Sequence, residues 1–515
     1  MSKKVTFKTY SQNQLSLLPP SYDDLVAANH PVRVVNYIID QLDITALEKE
    51  YKGGGSSSYH PRMLLKVLVY AYLRNVYSSR KIEQALQENI HFMWLSGQSK
   101  PDHGTINNFR GQRLRNQLKQ IFTQVVLLLQ EAGVLSIKDL YIDGTKIEAN
   151  ANRYTFVWAK SAKTSRERIQ KQLKDIWAYV EKVYREEQKE LNEPDFTAID
   201  PEKIAATIDQ INEALKDKPV DKEIKRKLDY GKKNWPKNLQ KYKEQEEILG
   251  GRNSYSKTDP DATFMRMKED HMGNGQLKPG YNLQASSNNQ YITNYTLAQT
   301  TADTTTLKDH LNEHSNSYGE SPDSVTADAG YGSEENYTYL EENEITGFVK
   351  YNYFHKEQHD KKRAENPFLP DNLFYNEEQD IYYCPIGQPM INIGIRQDTT
   401  KTGFEQTYVR YQAQNCAGCP LRGQCHKAKG NRIIERNYNL LRLKKQAKEL
   451  LLSEEGVAKR KRRCWEIEAI FANIKQNMNF RRFMLRGLDK VSVETGLLAL
   501  AHNLKKFSTS PTLAI

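Results

Sequence analysis

Cysteine and long apolar runs are both scarce in this chain. Its 515 residues include five cysteines, which are too few for a disulfide scaffold. The longest apolar runs, such as residues 125–129, fall far short of the ~20 residues that a membrane helix needs. The start MSKKVTFKTY lacks the apolar core of a signal peptide. We therefore expect a cytoplasmic protein without a membrane partner, in which clustered cysteines would indicate a metal.

Acidic residues are outnumbered by basic ones. Lysine and arginine total 75 against 64 aspartates and glutamates, for a net charge of +11 and a pI near 9.0. This balance favours a polyanionic partner such as nucleic acid, although a basic protein that is merely soluble would have the same balance. The length exceeds what one compact core accommodates, so we expect about two to four domains.

Residues 1–135 have the pattern of a helical domain. Val32, Val35 and Ile38 repeat at helical spacing, and the run 53–58 of glycine and serine predicts a flexible joint. Two short helices around a glycine-bearing turn, the second beginning near Asp102, are typical of a helix-turn-helix. An ordinary helical bundle with a polar face is the alternative. The residues predicted to contact DNA are Asn107, Asn108, Arg110 and Arg113.

Two apolar runs are each followed by one aspartate that lies close to a glycine in the sequence. Asp143 follows the run 140–142, and Asp328 follows the run 325–327. A carboxylate in a buried strand is costly unless a cation meets it, so both are candidate metal ligands at strand ends. The alternative is that each caps a turn.

The stretch 160–250 interrupts the strands with charged sequence. Apolar residues step by three and four from Ile169 to Val183 and from Ile204 to Leu215. These are coiled-coil patterns, and the break at 194–201 predicts an antiparallel helical hairpin. Its expected role is dimer contact or DNA backbone contact, and a solvated spacer is the alternative.

The strands on either side of this hairpin belong to one predicted sheet. Residues 136–159 supply the first strands and residues 251–350 the rest, in the order β, β, β, α, β, α, β. That order is typical of a ribonuclease-H-like core, in which the first and fourth strands are neighbours. The expected fold is therefore a multidomain combination of α and α/β parts, with Asp143 beside Asp328.

A second insertion, residues 351–454, contains four of the five cysteines. One C-x-x-C knuckle and two further thiols can close a tetrahedral structural zinc site. Buried free thiols are the alternative, and His426 is a reserve ligand. The predicted zinc ligands are Cys384, Cys416, Cys419 and Cys425.

The last segment, residues 455–515, is expected to supply a third acid to the core. Two divalent ions ~3.5–4 Å apart need several converging carboxylates, and Mg²⁺ prefers oxygen ligands. Glu466 and Glu468 lie about 200° apart on a helix, so only one can face the sheet. Glu468 is preferred because it shares a face with Phe471 and Lys475. The basic residues of this segment predicted to contact DNA are Lys461, Arg462, Arg463, Arg481, Arg482 and Arg486.

The order of these motifs along the chain resembles that of the DDE transposases of bacterial insertion sequences, specifically the IS1182-like family, which is related to the IS4 and IS5 groups. The matching runs include PDHGTINNFR at 101–110, DGT at 143–145, DPDA at 259–262, KPGY at 278–281 and ADAGY at 327–331. The cysteine cluster and the terminal helix complete the match.

The resemblance implies binding of the element's terminal inverted repeats, strand cleavage and transfer into target DNA. It also implies two Mg²⁺ or Mn²⁺ ions on Asp143, Asp328 and Glu468, and a homodimer in a synaptic complex associated with the nucleoid. Lys475 fits the lysine of the related Y-R-E-K signature, whereas the tyrosine and arginine of that signature fall on Lys461 and Cys464. The remaining acids near the core, Asp259, Asp261 and Asp303, are interpreted as structural.

Two other functions remain open at this point. A catalytically silent DNA-binding repressor derived from a transposase would keep the DNA contacts alone. A ribonuclease-H-like nuclease would cut DNA without strand transfer.

Overall fold

The structure is a computed structural model that describes residues 21–51, 57–186, 201–216, 220–267, 275–359 and 365–510. The predicted leader before residue 21, the glycines at 53–55 and the predicted break from residue 194 to 200 lie outside these ranges. The chain divides into two compact units, one of residues 1–132 with 495–515 and one of residues 133–494. Residues from Thr495 onward therefore group with the N-terminal unit, although residues 455–515 were all expected in the core.

The first unit is helical, as the apolar spacing predicts. Val32, Val35 and Ile38 are buried on its first helix. The predicted helix near Asp102 is short, because the chain changes to a π-helical turn at Phe109–Arg113. The helices of its N-terminal part are α1 Pro31–Asp40, α2 Thr45–Glu48, α3 Pro61–Leu73, α4 Ser79–Glu88, α5 Ile90–Leu95, α6 His103–Asn108 and α7 Leu118–Glu131.

A mixed sheet forms the centre of the second unit. Its strands are β1 Asp139–Glu148, β4 Thr263–Arg266, β5 Leu277–Asn288, β6 Tyr291–Ala298, β7 Ser324–Ala327 and β8 Thr346–Val349, and a separate pair consists of β2 Phe156–Trp158 and β3 Ser254–Ser256. The strand order is β4-β5-β1-β7-β8, with β6 also pairing with β5. β1 runs antiparallel to β5 and parallel to β7, and β7 runs parallel to β8.

Helices cover this sheet and bury its apolar residues. Helix α11 Leu307–Tyr318 precedes β7, α12 Glu334–Glu342 precedes β8, and α13 Phe354–His359 follows it. Leu140, Val325 and Phe348 form one core cluster. Burial of these side chains stabilises the sheet by roughly 1.5–3 kcal/mol per residue.

The charged insertion contains three helices in its described ranges, where a two-helix hairpin was expected. They are α8 Ala159–Glu186, α9 Pro201–Ala214 and α10 Lys222–Leu249. All the predicted apolar residues of this insertion except Val183 pack together with Leu228, Trp235 and Leu239 of α10. The third helix, α10, was not expected because its sequence is densely charged and contains Pro236.

The cysteine-containing segment forms a separate antiparallel sheet of five strands in the order β13-β12-β11-β10-β9. Its elements are β9 Phe374–Asn376, β10 Ile381–Tyr383, β11 Pro389–Thr399, β12 Glu405–Ala413, the helical turn α14 Arg422–Cys425 and β13 Ile433–Arg436. The following helix, α15 Tyr438–Leu452, lies in the range predicted as insertion. It nevertheless packs Leu443 and Leu451 into the core cluster of the central sheet.

The chain continues through α16 Glu454–Ala472, a π-helical turn Asn473–Asn477 and α17 Leu488–Phe507. None of the helices in the described ranges has the length and apolarity that crossing a bilayer requires.

Candidate active site

Asp143 lies in the middle of β1 with 5% of its surface exposed. The prediction that it ends its strand is wrong, because β1 continues to Glu148. Its Oδ1 accepts a hydrogen bond from the backbone N–H of Gly144 at 2.8 Å. A carboxylate buried in this way is stable only with a cationic or hydrogen-bonding partner.

Asp328 directly follows β7, the parallel neighbour of β1. The register pairs Leu140 with Val325 and Tyr141 with Thr326, so the two aspartates occur at equivalent positions further along the two strands. Asp328 does cap a turn, because its Oδ1 accepts from the N–H of Gly330 at 2.8 Å. Its second oxygen, Oδ2, faces Arg463.

The second oxygens of both aspartates face Arg463 of α16. The Nη2 atom of Arg463 lies 3.2 Å from Asp143 Oδ2 and 3.7 Å from Asp328 Oδ2. Its Nη1 lies 3.4 Å from Glu468 Oε1. One guanidinium, with 7% of its side chain exposed, therefore contacts all three acids that were proposed from the sequence.

The two glutamates of α16 have different surroundings. Glu466 is fully buried, and its carboxylate accepts from the backbone N–H of Gln290 at 2.7 Å and from Arg462 Nε at 2.9 Å. The side chain of Glu468 is 53% exposed, whereas Phe471 is buried. Glu468 and Phe471 lie three residues apart on α16 but differ in burial, and the contact of Glu468 with Arg463 is what associates it with the aspartates.

A second layer of polar side chains lies beside the aspartates. Asp303 Oδ1 accepts from Asn282 Nδ2 at 2.7 Å and from Gln284 Nε2 at 3.0 Å. Asp303 also packs so closely over Gly144 that a Cβ there would lie 2.6 Å from its Oδ1. Burial raises the pKa of Tyr331, and the charges of Asp303, Asp143 and Asp328 raise it further. Tyr331 thus keeps its proton, and its hydroxyl donates a hydrogen bond to Gln284 Oε1.

One further cation, Lys350, lies close enough to Arg463 and Asp328 for their charges to shift its pKa. Burial lowers its pKa, and the nearby charge of Arg463 lowers it further, whereas Asp328 acts in the opposite direction. No sequence pattern marks Lys350, because it follows the short strand β8 without a flanking motif.

The donor set of the site suits Mg²⁺, which favours carboxylate oxygens. Within the described ranges, however, no three His, Cys, Asp or Glu side chains lie close enough together to hold a metal ion. The guanidinium of Arg463 lies against all three carboxylates.

The other predicted basic residues lie on and after α16. Lys461 is exposed, and Arg462 bonds Glu466 and Asn289. Lys475 is buried in the turn that follows α16. Arg481, Arg482 and Arg486 are exposed. Arg482 and Arg486 donate hydrogen bonds to the backbone carbonyls of Ala149 and Asn150 respectively, just beyond β1.

In the first unit, Asn107 and Asn108 are exposed at the end of α6. Arg110 is buried, and its guanidinium donates to Tyr77 O at 2.6 Å and to Ser79 Oγ at 3.1 Å. Arg113 is half-buried and donates to a backbone carbonyl, that of Glu50. The two arginines thus have internal partners, and only the asparagines are presented to solvent.

The four cysteines of the insertion line one small cavity with His426 and Arg432. All four thiols are free. Arg432 Nη1 donates to Cys425 Sγ at 3.1 Å, and its backbone N–H donates to Cys416 Sγ at 3.3 Å. Both ring nitrogens of His426 are buried without a hydrogen-bond partner among the described residues. Burial lowers the pKa of His426, which favours the neutral imidazole that a metal binds.

Asp259 and Asp261 act at the start of α17. Asp259 is buried and accepts from Tyr281 OH at 2.9 Å and from Gly487 N at 3.1 Å. Asp261 Oδ2 accepts from Leu488 N at 2.8 Å. Their hydrogen bonds are those of structural carboxylates.

Comparison with protein families gives two matches. Residues 20–112 match a family described as transposase domain (DUF772), and residues 383–508 match a family described as transposase DDE domain. The second range includes Glu468 and the four cysteines, whereas Asp143 and Asp328 lie outside both. Searches of curated proteins and of solved structures gave no match. The two transposase-domain matches indicate a DDE transposase of an insertion sequence, and the DUF772 match is consistent with the IS1182-like subfamily.

Proposed function

We propose that this transposase binds the terminal inverted repeats of its insertion sequence and performs Mg²⁺-dependent strand cleavage and strand transfer. The observation that carries the proposal is the convergence of Asp143, Asp328 and Glu468 on one guanidinium. A structural ion pair needs one carboxylate for one guanidinium, so three acids from separate elements around one cation exceed what a structural role requires. The strand order and directions of the central sheet also support a ribonuclease-H-like core.

In this proposal Asp143 and Asp328 would hold the metal ions, and the Oδ1 atom of each accepts a hydrogen bond from a backbone N–H. Those backbone bonds fix the orientation of each carboxylate. Glu468 supplies the third ligand from the exposed side, where DNA has access. The metals, when bound, activate the attacking hydroxyl or water and stabilise the leaving oxygen.

Phosphate contacts are assigned to exposed cations around this site, and base contacts to the first unit. Lys461, Arg481, Arg482 and Arg486 present positive charge to solvent and suit the phosphate backbone. Asn107 and Asn108 suit hydrogen bonds to bases or phosphates. Arg110 is omitted, because moving it to DNA would leave buried partners unpaired.

The cysteine cluster is proposed as a structural zinc site. Thiolates and imidazole are the ligands that Zn²⁺ prefers, and four thiols and one imidazole line this cavity. In the described ranges they are not yet close enough together to hold an ion, so zinc binding would have to draw them inward. Elemental analysis of protein purified without chelator should give about one zinc per chain. Cys419→Ser should lower that content, and Cys464→Ser, at an exposed cysteine outside the cluster, should not. Zinc content well below one equivalent would remove this assignment.

The test of the main function is cleavage and strand transfer on DNA carrying the element's own ends. Asp143→Asn, Asp328→Asn and Glu468→Gln should each abolish both steps while DNA binding persists. Asp309→Asn removes an exposed acid of α11 and serves as the control. Cleavage without transfer by the wild type would indicate a nuclease, and binding without cleavage would indicate a repressor.

A further inference from the structure

Arg463 has contacts that a DNA-binding arginine does not need. Its guanidinium faces three carboxylates at 3.2, 3.4 and 3.7 Å. These separations exceed the 2.7–2.9 Å of a tight charge-assisted hydrogen bond, which is the usual geometry of a permanent arginine–carboxylate pair. Arg463 Nε is also buried without a hydrogen-bond partner among the described residues.

Charge balance at this position is incomplete. The guanidinium of Arg463 carries one positive charge and faces three carboxylates, so these four groups have a net negative charge that attracts a further cation even with Lys350 nearby. Two cationic species then have the same ligands: the arginine of the chain itself and a divalent ion from solution. They cannot both lie between Asp143 Oδ2 and Asp328 Oδ2, because both oxygens already face the Nη2 atom of Arg463.

We propose that Arg463 competes with the divalent ions for Asp143, Asp328 and Glu468. It is a positioning residue that holds the three acids near one another before metal binds, and its guanidinium leaves that position when metal binds. This inference rests on the proposed metal site and adds a coupling to it. A DNA phosphate that attracts Arg463 away from the acids would strengthen metal binding, and the reverse must hold equally, because such coupling is reciprocal.

The test is titration of the full chain with Mn²⁺ by calorimetry, in the absence of DNA. Arg463→Met should bind Mn²⁺ about 10- to 100-fold more tightly than the wild type, within the usual range of coupling between sites. Arg463→Lys retains the charge and should lie between the two. Arg460→Met removes a neighbouring cation of α16 whose Nε bonds Leu451 O, and it should leave the Mn²⁺ affinity unchanged.

Addition of end-containing DNA provides the second readout. DNA should raise the Mn²⁺ affinity of the wild type and should have a smaller effect on Arg463→Met, from which the competitor is already absent. Far-ultraviolet circular dichroism checks that each variant is folded. If Arg463→Met does not fold, the Arg463→Lys titration alone decides.

The outcomes separate the two proposals. Equal Mn²⁺ affinity in the wild type and in the Arg463 variants would overturn the competition and leave the metal site standing. Weaker binding in Arg463→Met would also overturn it, since Arg463 would then assist the metal. Wild-type binding that Asp143→Asn does not weaken would remove the metal site itself.

Discussion

The two glutamates of α16 should respond in opposite ways to the same substitution. Glu466→Ala should destabilise the protein, and Glu468→Ala should abolish cleavage with little change in stability. The reason is their surroundings. Glu466 is fully buried with two hydrogen-bond donors on its carboxylate, whereas Glu468 is half exposed and contacts Arg463.

The magnitude for Glu466 follows from its two bonds. Its removal takes an acceptor from the part-buried backbone N–H of Gln290, which costs roughly 1–3 kcal/mol. The bond to Arg462 adds less, because 39% of that side chain is exposed and water can replace the carboxylate. We expect a loss of about 2–3 kcal/mol in total. For Glu468→Ala we expect a change within about 0.5 kcal/mol.

The assay is urea unfolding followed by circular dichroism, together with cleavage of end-containing DNA. A Glu466→Ala protein of wild-type stability that fails to cut DNA would refute this reasoning. A Glu468→Ala protein of full activity would refute it as well, and the third acid would then be Glu466.

Three further predictions concern packing, DNA affinity and pH. Gly144→Ala should cost roughly 1–3 kcal/mol in urea unfolding, because its Cβ would lie 2.6 Å from Asp303 Oδ1; Gly423→Ala, with open space around it, is the control, and equal effects would contradict the packing. The logarithm of the DNA-binding constant should fall linearly with the logarithm of salt concentration, as counterion release requires, and a salt-independent affinity in fluorescence anisotropy would exclude the basic residues as contacts. Burial is the main cause that lowers the pKa of His30 from 6.5 to about 4. Between these two values the unfolded state binds more protons than the folded state. The contribution of His30 to stability is therefore complete above pH 6.5 and is lost as the pH falls towards 4. His30→Asn, which retains a helix cap, should reduce that acid sensitivity in urea unfolding, whereas the same exchange at the cap His60 should reproduce only the effect on the cap.

Local sequence patterns are sufficient to predict most elements of the central sheet. The apolar runs before Asp143 and Asp328 correspond to β1 and β7, and the two strands are neighbours. The three- and four-residue spacing from Ile169 to Leu215 likewise corresponds to the buried faces of α8 and α9. In these places one face of an element is buried, so burial leaves a periodic trace in the sequence.

Other features depend on contacts between distant residues and leave no such trace. Helix α10 has charges around most of its surface, so its buried positions at Leu228 and Trp235 do not form an evident pattern. The burial of Arg110 depends on Tyr77 and Ser79, more than thirty residues earlier. The sequence marked Arg463 only as part of a basic run. Its position between three acids follows from the docking of α16 against β1 and β7.

The central claim is that Asp143 holds a metal ion, and replacement of its carboxylate by a thiolate tests this most directly. Asp143→Cys should fail to cleave end-containing DNA with Mg²⁺, which binds sulfur poorly, and should recover cleavage when Mn²⁺, a softer ion, replaces it. Asp143→Asn should remain inactive with both ions. Full activity of Asp143→Asn with Mg²⁺ would contradict the account.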